Sequence, residues 1–156
     1  MVKKEYQAMA EKRDKTAKAV MKNQRASLKY SLEIVREIKG KRLAKAGRFL
    51  KNVLEHKEYL PLKRYMKKVG HRKGDAKSGV KSGRYPTGTL SVWLMLLDSV
   101  KANADYRGME VKDLVISHAF ASQGYKRMGY QSQGRISGKR RAKKAVHIEV
   151  VVREGK

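Results

Sequence analysis

The chain has 156 residues with 39 Lys+Arg against 14 Asp+Glu, a formal charge of +25, and no cysteine. That length suits one domain with a modest core, 40% hydrophobic residues is too many for a wholly disordered tail, and the missing thiols exclude disulfides, thiolate chemistry and Cys-ligated zinc. The longest nearly charge-free apolar stretch, Thr89 to Leu97, is far short of the ~20 residues of a bilayer span, and no apolar segment follows the basic start, so neither membrane insertion nor a secretory signal is expected.

A weak strand pattern covers Tyr6 to Ala10. Helical periodicity begins at Ser27, a good N-cap, and runs to about Lys39, with Leu28, Leu32 and Val35 on one stripe and Ile34 and Ile38 beside it. Gly40 ends this helix. A second helix is predicted from about Arg42 to His56, where Leu43, Ala46, Leu50 and Val53 recur and Phe49 and Leu54 widen the face. A basic insert follows over about 57–85. Pro86, suited to a first helical turn, opens a third helix carrying Leu90, Trp93, Leu94, Leu97 and Val100 toward Ala104. These apolar stripes are core, with no chemistry assigned to them.

Two strands complete the pattern. Leu114, Ile116, His118 and Phe120 alternate with Val115, Ser117 and Ala119, and Val146, Ile148, Val150 and Val152 alternate with His147, Glu149, Val151 and Arg153. The predicted fold class is α+β: three helices packed on a small antiparallel sheet. Between the strands, ASQGYKRMGYQSQGRISGKRRAKKA has almost nothing to bury. As an antiparallel hairpin of about twelve residues an arm it would reach ~40 Å. A bare ribbon of that kind is marginal in water and needs a partner on its faces. A disordered basic loop is the competing reading of the same residues.

Charge asymmetry names the partner class. No carboxylate lies between Asp113 and Glu149, where Lys126, Arg127, Arg135, Lys139, Arg140, Arg141, Lys143 and Lys144 stand. Between Glu58 and Asp98 only Asp75 interrupts Lys63, Arg64, Lys67, Lys68, Arg72, Lys73, Lys77, Lys81 and Arg84. Solvated surfaces normally mix both signs, so these runs suit a polyanion whose counterions they release.

Enzymatic and metal sites find little support. Gly74-Asp75-Ala76-Lys77-Ser78-Gly79-Val80-Lys81-Ser82 nearly spells a P-loop, but Val80 occupies the position of the required Lys and no buried strand precedes it. His56, His71, His118 and His147 show no metal-ligand spacing. His118 and His147 flank the basic interval and are read as part-buried sheet residues. Glu33 and Glu37 share a helix face, and pairing with Arg36 or Lys41 is the simpler reading. No metal, cofactor or catalytic residue is expected. Charge alone fits several classes, among them a basic DNA-compacting protein, a general RNA-binding protein, and an RNA-processing enzyme with an unrecognised carboxylate site.

The order of motifs narrows this. The run SLKYSLEIVREIKGKRLAKAGRFLKNVLEHK, then PLKRY, VGHRKG and GRYP, then KANADYRGMEVKDLVISHA, then GRI and VHIEVVV, resembles the universal large-subunit ribosomal protein twenty-two family, eukaryotic large-subunit protein seventeen. It covers about Tyr6 to Glu154, and the insert resembles the archaeal and eukaryotic branch.

The resemblance implies a compact domain with a long protruding β-hairpin, over about 119–146, that passes through large-subunit ribosomal RNA in the cytoplasmic ribosome. The implied partners are that RNA, other large-subunit proteins and the nascent polypeptide, since the family's hairpin tip lines the exit tunnel. Here the tip would be Lys126, Arg127, Met128, Gly129, Tyr130, Gln131, Ser132 and Gln133. Gln131, Ser132 and Gln133 stand where the family usually has another Arg and often Lys or His, which lowers the tip charge. Arg135 matches the family's Gly-Arg after the tip. Arg140, Arg141, Lys143 and Lys144, with Lys139, would clamp phosphates along the returning arm. Lys63, Arg64, His71, Arg72, Lys73 and Arg84 would form a second surface, with Arg25, Lys29, Lys39 and Lys41 near the first helix. Tyr65, Tyr85, Tyr125 and Tyr130 are candidates for stacking on bases.

Overall fold

The computed structural model describes residues 6–7, 15–132 and 138–155. Its architecture is α+β. Strand β1 (Thr16–Gln24) leads to helices α1 (Leu28–Ile38) and α2 (Leu43–Leu54). Two short strands, β2 (Leu60–Pro61) and β3 (Gly83–Arg84), bracket most of the insert. Helix α3 (Thr87–Tyr106) and one 3-10 turn (Val111–Asp113) precede β4 (Leu114–Gln131) and β5 (Lys139–Glu154).

The main sheet is antiparallel, in the order β1-β5-β4. Its central strand matches the alternation seen in the sequence: Val146, Ile148, Val150 and Val152 are all buried against the helices. Helices α2 and α3 bury the predicted Leu43, Ala46, Leu50, Val53, Leu90, Trp93, Leu97 and Val100. The Trp93 indole N–H donates to Ser31 Oγ at 3.2 Å, so the largest core side chain also joins α3 to α1 without leaving a buried donor unpaired.

Three expectations shift. The strand read over Tyr6 to Ala10 is absent at Tyr6 and Gln7, and residues 8–10 lie outside the described residues. The edge strand is instead β1, whose Ala17 and Ala19 face the core opposite Val152 and Val150. Along α1 the buried line is Ser31, Ile34 and Ile38, with Glu33 and Glu37 also covered, while Leu28, Leu32 and Val35 are only partly buried. The helix is covered on two sides, by the sheet and by the insert, so a single apolar stripe does not describe it.

Strand β4 departs from strict alternation. Ile116 faces Val152 but His118 faces Val151, so Ser117 is an extra residue and its hydroxyl donates to the Val151 carbonyl at 3.1 Å. A bulge reverses the parity of every later side chain. Ala119 and Ala121 therefore enter the core in place of His118 and Phe120. A second shift lies between Gln123 and Lys126. It coincides with the last buried pair member, Val146, beyond which the two strands continue without a core.

The insert is folded onto α1 by carboxylates. Glu33 Oε1 accepts the backbone N–H groups of Arg64 at 2.7 Å and Tyr65 at 3.0 Å. Glu37 accepts the Ser78 hydroxyl at 2.7 Å. The Tyr59 hydroxyl accepts the Lys77 N–H at 3.0 Å and lies 2.9 Å from the Val80 carbonyl, gathering the Gly/Ser/Lys loop around one ring. Gly83 sits so close to that ring that a Cβ would come within 2.2 Å of Tyr59 Cδ2.

Candidate nucleic-acid interface

Past Gln123↔Val146 the ribbon has no interior. Every described non-glycine side chain from Tyr125 to Lys144 is exposed. Gln123 to Gln131 spans eight residue steps, ~26 Å at ~3.3 Å per step. Register assigns the faces, because directly paired residues point the same way. Lys126↔Lys144, Met128↔Ala142 and Tyr130↔Arg140 share one face; Arg127↔Lys143, Gly129↔Arg141 and Gln131↔Lys139 share the other. Both faces are cationic and neither carries an acid. Like charges opposed across a ladder destabilise it, so this ribbon is built for an external anion. Gln133 and Arg135 lie outside the described residues.

A joint fixes the ribbon to the body. Asn23 has φ +55°, and its backbone N–H donates to His147 Nδ1 at 3.0 Å while its side-chain oxygen accepts the Tyr125 N–H at 3.1 Å. His147 thus has a positioning partner of its own. His118 is engaged elsewhere, 3.0 Å from Glu149 Oε1, which also accepts the Gln7 N–H. The two histidines do not form a pair.

A second cationic feature lies between the start of α1 and the insert. A groove of about 480 Å³ is lined by Lys29, Arg64, Lys67, Lys68 and Arg84, with Tyr65 and Tyr30 on its walls and Leu62 and Val69 below. No carboxylate lines it. Lys29, Arg64 and Arg84 are thereby brought together from separate stretches of sequence, and Lys67 and Lys68, from the same acid-poor run, complete the rim. The Lys29 ammonium lies 5.5 Å and the Arg64 guanidinium 5.7 Å from the Tyr65 ring centre.

Other basic candidates are placed differently. Arg72 is half-buried: its Nε–H donates to the Gly83 carbonyl at 2.8 Å and its guanidinium lies over the Tyr85 ring at 5.0 Å. His56 packs on the same Tyr85 ring, 4.5 Å between centroids, so that ring is part of the insert's packing. Lys41 and Lys63 approach Glu37 at 3.5 and 4.0 Å. Arg25, Lys39, His71 and Lys73 are exposed and outside the groove. At the C-cap of α2, hydrogen bonding and charge from Lys57, 2.6 Å away, hold the Glu55 carboxyl below its ordinary range, making a locally neutral pair.

Among the described residues no group of three or more His, Cys, Asp or Glu could hold a metal ion, and no helix is long and apolar enough to cross a membrane. Sequence reading missed Asn23 and the latch role of Glu33. The alternation of Ala17, Ala19 and Met21 with Lys18, Val20 and Lys22 was the available signal for β1 and hence for Asn23 at its end.

Comparison with known proteins identifies the family. Residues 19–153 match the family model described as ribosomal protein L22p/L17e. The large ribosomal subunit protein uL22 of Sulfolobus acidocaldarius is 38% identical over 150 residues, 96% of each chain. That of Methanococcus aeolicus is 38% identical over 143 residues, 90% of this chain and 91% of its own. That of Thermofilum pendens is 39% identical over 142 residues, 90% and 91%. A family model matched over residues 19–153, with relatives 38–39% identical over 90% or more of this sequence, leads to one assignment: the chain belongs to the ribosomal protein L22p/L17e family.

Proposed function

We propose that the chain is a structural constituent of the large ribosomal subunit, in the cytoplasmic ribosome, that holds large-subunit RNA through its hairpin and its insert. Insert, sheet and hairpin act as one domain in this reading, with other large-subunit proteins as neighbours and no catalytic role. One observation carries it: the ribbon beyond Gln123↔Val146 is cationic on both faces and buries nothing. Such an element gains order only from anions that contact both sides. Arg127, Lys139, Arg141 and Lys143 would meet phosphates on one face, and Lys126, Arg140 and Lys144 on the other. Tyr125 and Tyr130, 61% and 76% exposed, would be available to bases. In this reading the tip, Lys126 to Gln133, would line the wall of the nascent-peptide tunnel, as the family resemblance implies.

Salt dependence tests the reading. If about eight phosphates are neutralised, log affinity for large-subunit RNA fragments falls by about 6–7 per decade of salt. Replacing Arg140, Arg141, Lys143 and Lys144 by Gln should reduce that slope by about 3–4. Binding that ignores salt, or equal binding to duplex DNA in competition, overturns it.

A further inference from the structure

The groove beside α1 differs in kind from the hairpin. The ribbon spreads its cations over two exposed faces, which suits phosphates. The groove is concave, its volume of about 480 Å³ lies within the range of small-molecule sites (~300–1,000 Å³), and an aromatic wall stands among its cations. We infer that this groove takes an unpaired RNA nucleotide: its base replaces a cation now over the Tyr65 ring, Lys29 or Arg64, and the displaced side chain joins Lys67, Lys68 and Arg84 on the flanking phosphates. The inference rests on the RNA-binding reading above and adds the strandedness and the residue that recognises it.

Three features support an unpaired nucleotide over a duplex. A duplex is too wide to enter a groove of this volume, and its bases offer no free face to a ring. The rim has five cations and no carboxylate, so phosphate is accepted and an acidic neighbour does not compete. The backbone that carries the ring is also set in advance: Glu33, buried in α1, accepts the N–H groups of both Arg64 and Tyr65. A preorganised wall loses little freedom on binding, which is the condition under which a single stacking contact is felt.

The test uses the full chain carrying R140Q, R141Q, K143Q and K144Q, so that the hairpin no longer dominates, with a short oligouridylate and a blunt RNA duplex of matched phosphate number. Y65L should weaken oligouridylate binding about 5- to 150-fold, the range for loss of one stacked base. Y65F should retain it, and neither variant should change duplex binding or the melting temperature by more than the error. Photocrosslinking of 4-thiouridine oligomer to the unsubstituted chain should mark the peptide containing Tyr65. Y65L that leaves both RNAs unchanged, or weakens both equally, overturns the groove assignment while the hairpin reading stands. A native chain that binds neither RNA in a salt-dependent way overturns the parent reading and the groove with it.

Discussion

The side-chain oxygen of Asn23 accepts the backbone N–H of Tyr125 at 3.1 Å, tying the end of β1 to the point where the charged ribbon leaves the sheet. Asn23 holds a left-handed backbone, φ +55°, which asparagine tolerates better than alanine. N23A removes the acceptor and strains the backbone together, with an expected loss of about 2–3 kcal/mol. N23G removes only the acceptor and should cost about 1 kcal/mol. Thermal melts of both variants check this; equal losses would show that the backbone conformation carries no weight.

Gly124 belongs to the same joint. A Cβ there would lie 2.9 Å from Asn23 Oδ1 and 3.1 Å from His147 Nε2. G124A should destabilise by about 1–3 kcal/mol, because the atoms it displaces are held by hydrogen bonds. Removing the Asn23 side chain opens the space, so N23G and G124A should combine non-additively, with a coupling of about 1 kcal/mol in a double-mutant cycle. Simple additivity would mean that the alanine is accommodated elsewhere.

Glu33 is covered to 2% side-chain exposure and accepts two backbone N–H groups of the insert. E33A would leave both part-buried donors without their carboxylate partner, at about 2–4 kcal/mol, whereas E33Q keeps an oxygen in place and should cost about half of that. Chemical denaturation gives the energies. Limited proteolysis should cut E33A within the 62–69 segment first, and unchanged digestion would remove Glu33 from the role of latch.

Two glycines make opposite predictions. At Gly83 a methyl group meets the Tyr59 ring at 2.2 Å inside the insert, so G83A should cost about 2–4 kcal/mol. At Gly88, in the first turn of α3, nothing lies within 4 Å, and G88A should stabilise by about 0.4–1 kcal/mol through a less flexible unfolded chain. Melting temperatures of the two variants should move in opposite directions.

In the free protein the ribbon should open readily despite its ladder. Amides from Lys126 to Gln131 and Lys139 to Lys144 have no apolar cover, and Lys126↔Lys144 and Arg127↔Lys143 oppose like charges across the strand pair. Hydrogen exchange there should be fast, while α3, with Leu90, Trp93, Leu96 and Val100 fully buried, exchanges near the rate of global unfolding. Adding large-subunit RNA should slow the ribbon and leave α3 unchanged; protection of the ribbon without RNA would contradict its dependence on a partner.

Periodicity and charge are local properties, and what depends on them was legible in the residues alone. The three helices, the central strand β5 with Val146, Ile148, Val150 and Val152 inward, and the acid-free interval with nothing to bury all follow from spacing. The tertiary structure decided what spacing cannot encode. Ser117 is one residue among alternating neighbours, yet as a bulge it turns Phe120 outward and Ala119 inward, because pairing register depends on the partner strand. Glu33 reads as a surface carboxylate until the insert lies over α1 and supplies two N–H donors to neutralise its burial. Lys29, Arg64 and Arg84 are far apart in the chain, and only the folding of the insert onto α1 makes one groove of them. Local energetics choose the elements; which side chains share a surface is set by long-range packing, where a buried polar group must find its partner wherever the fold brings one.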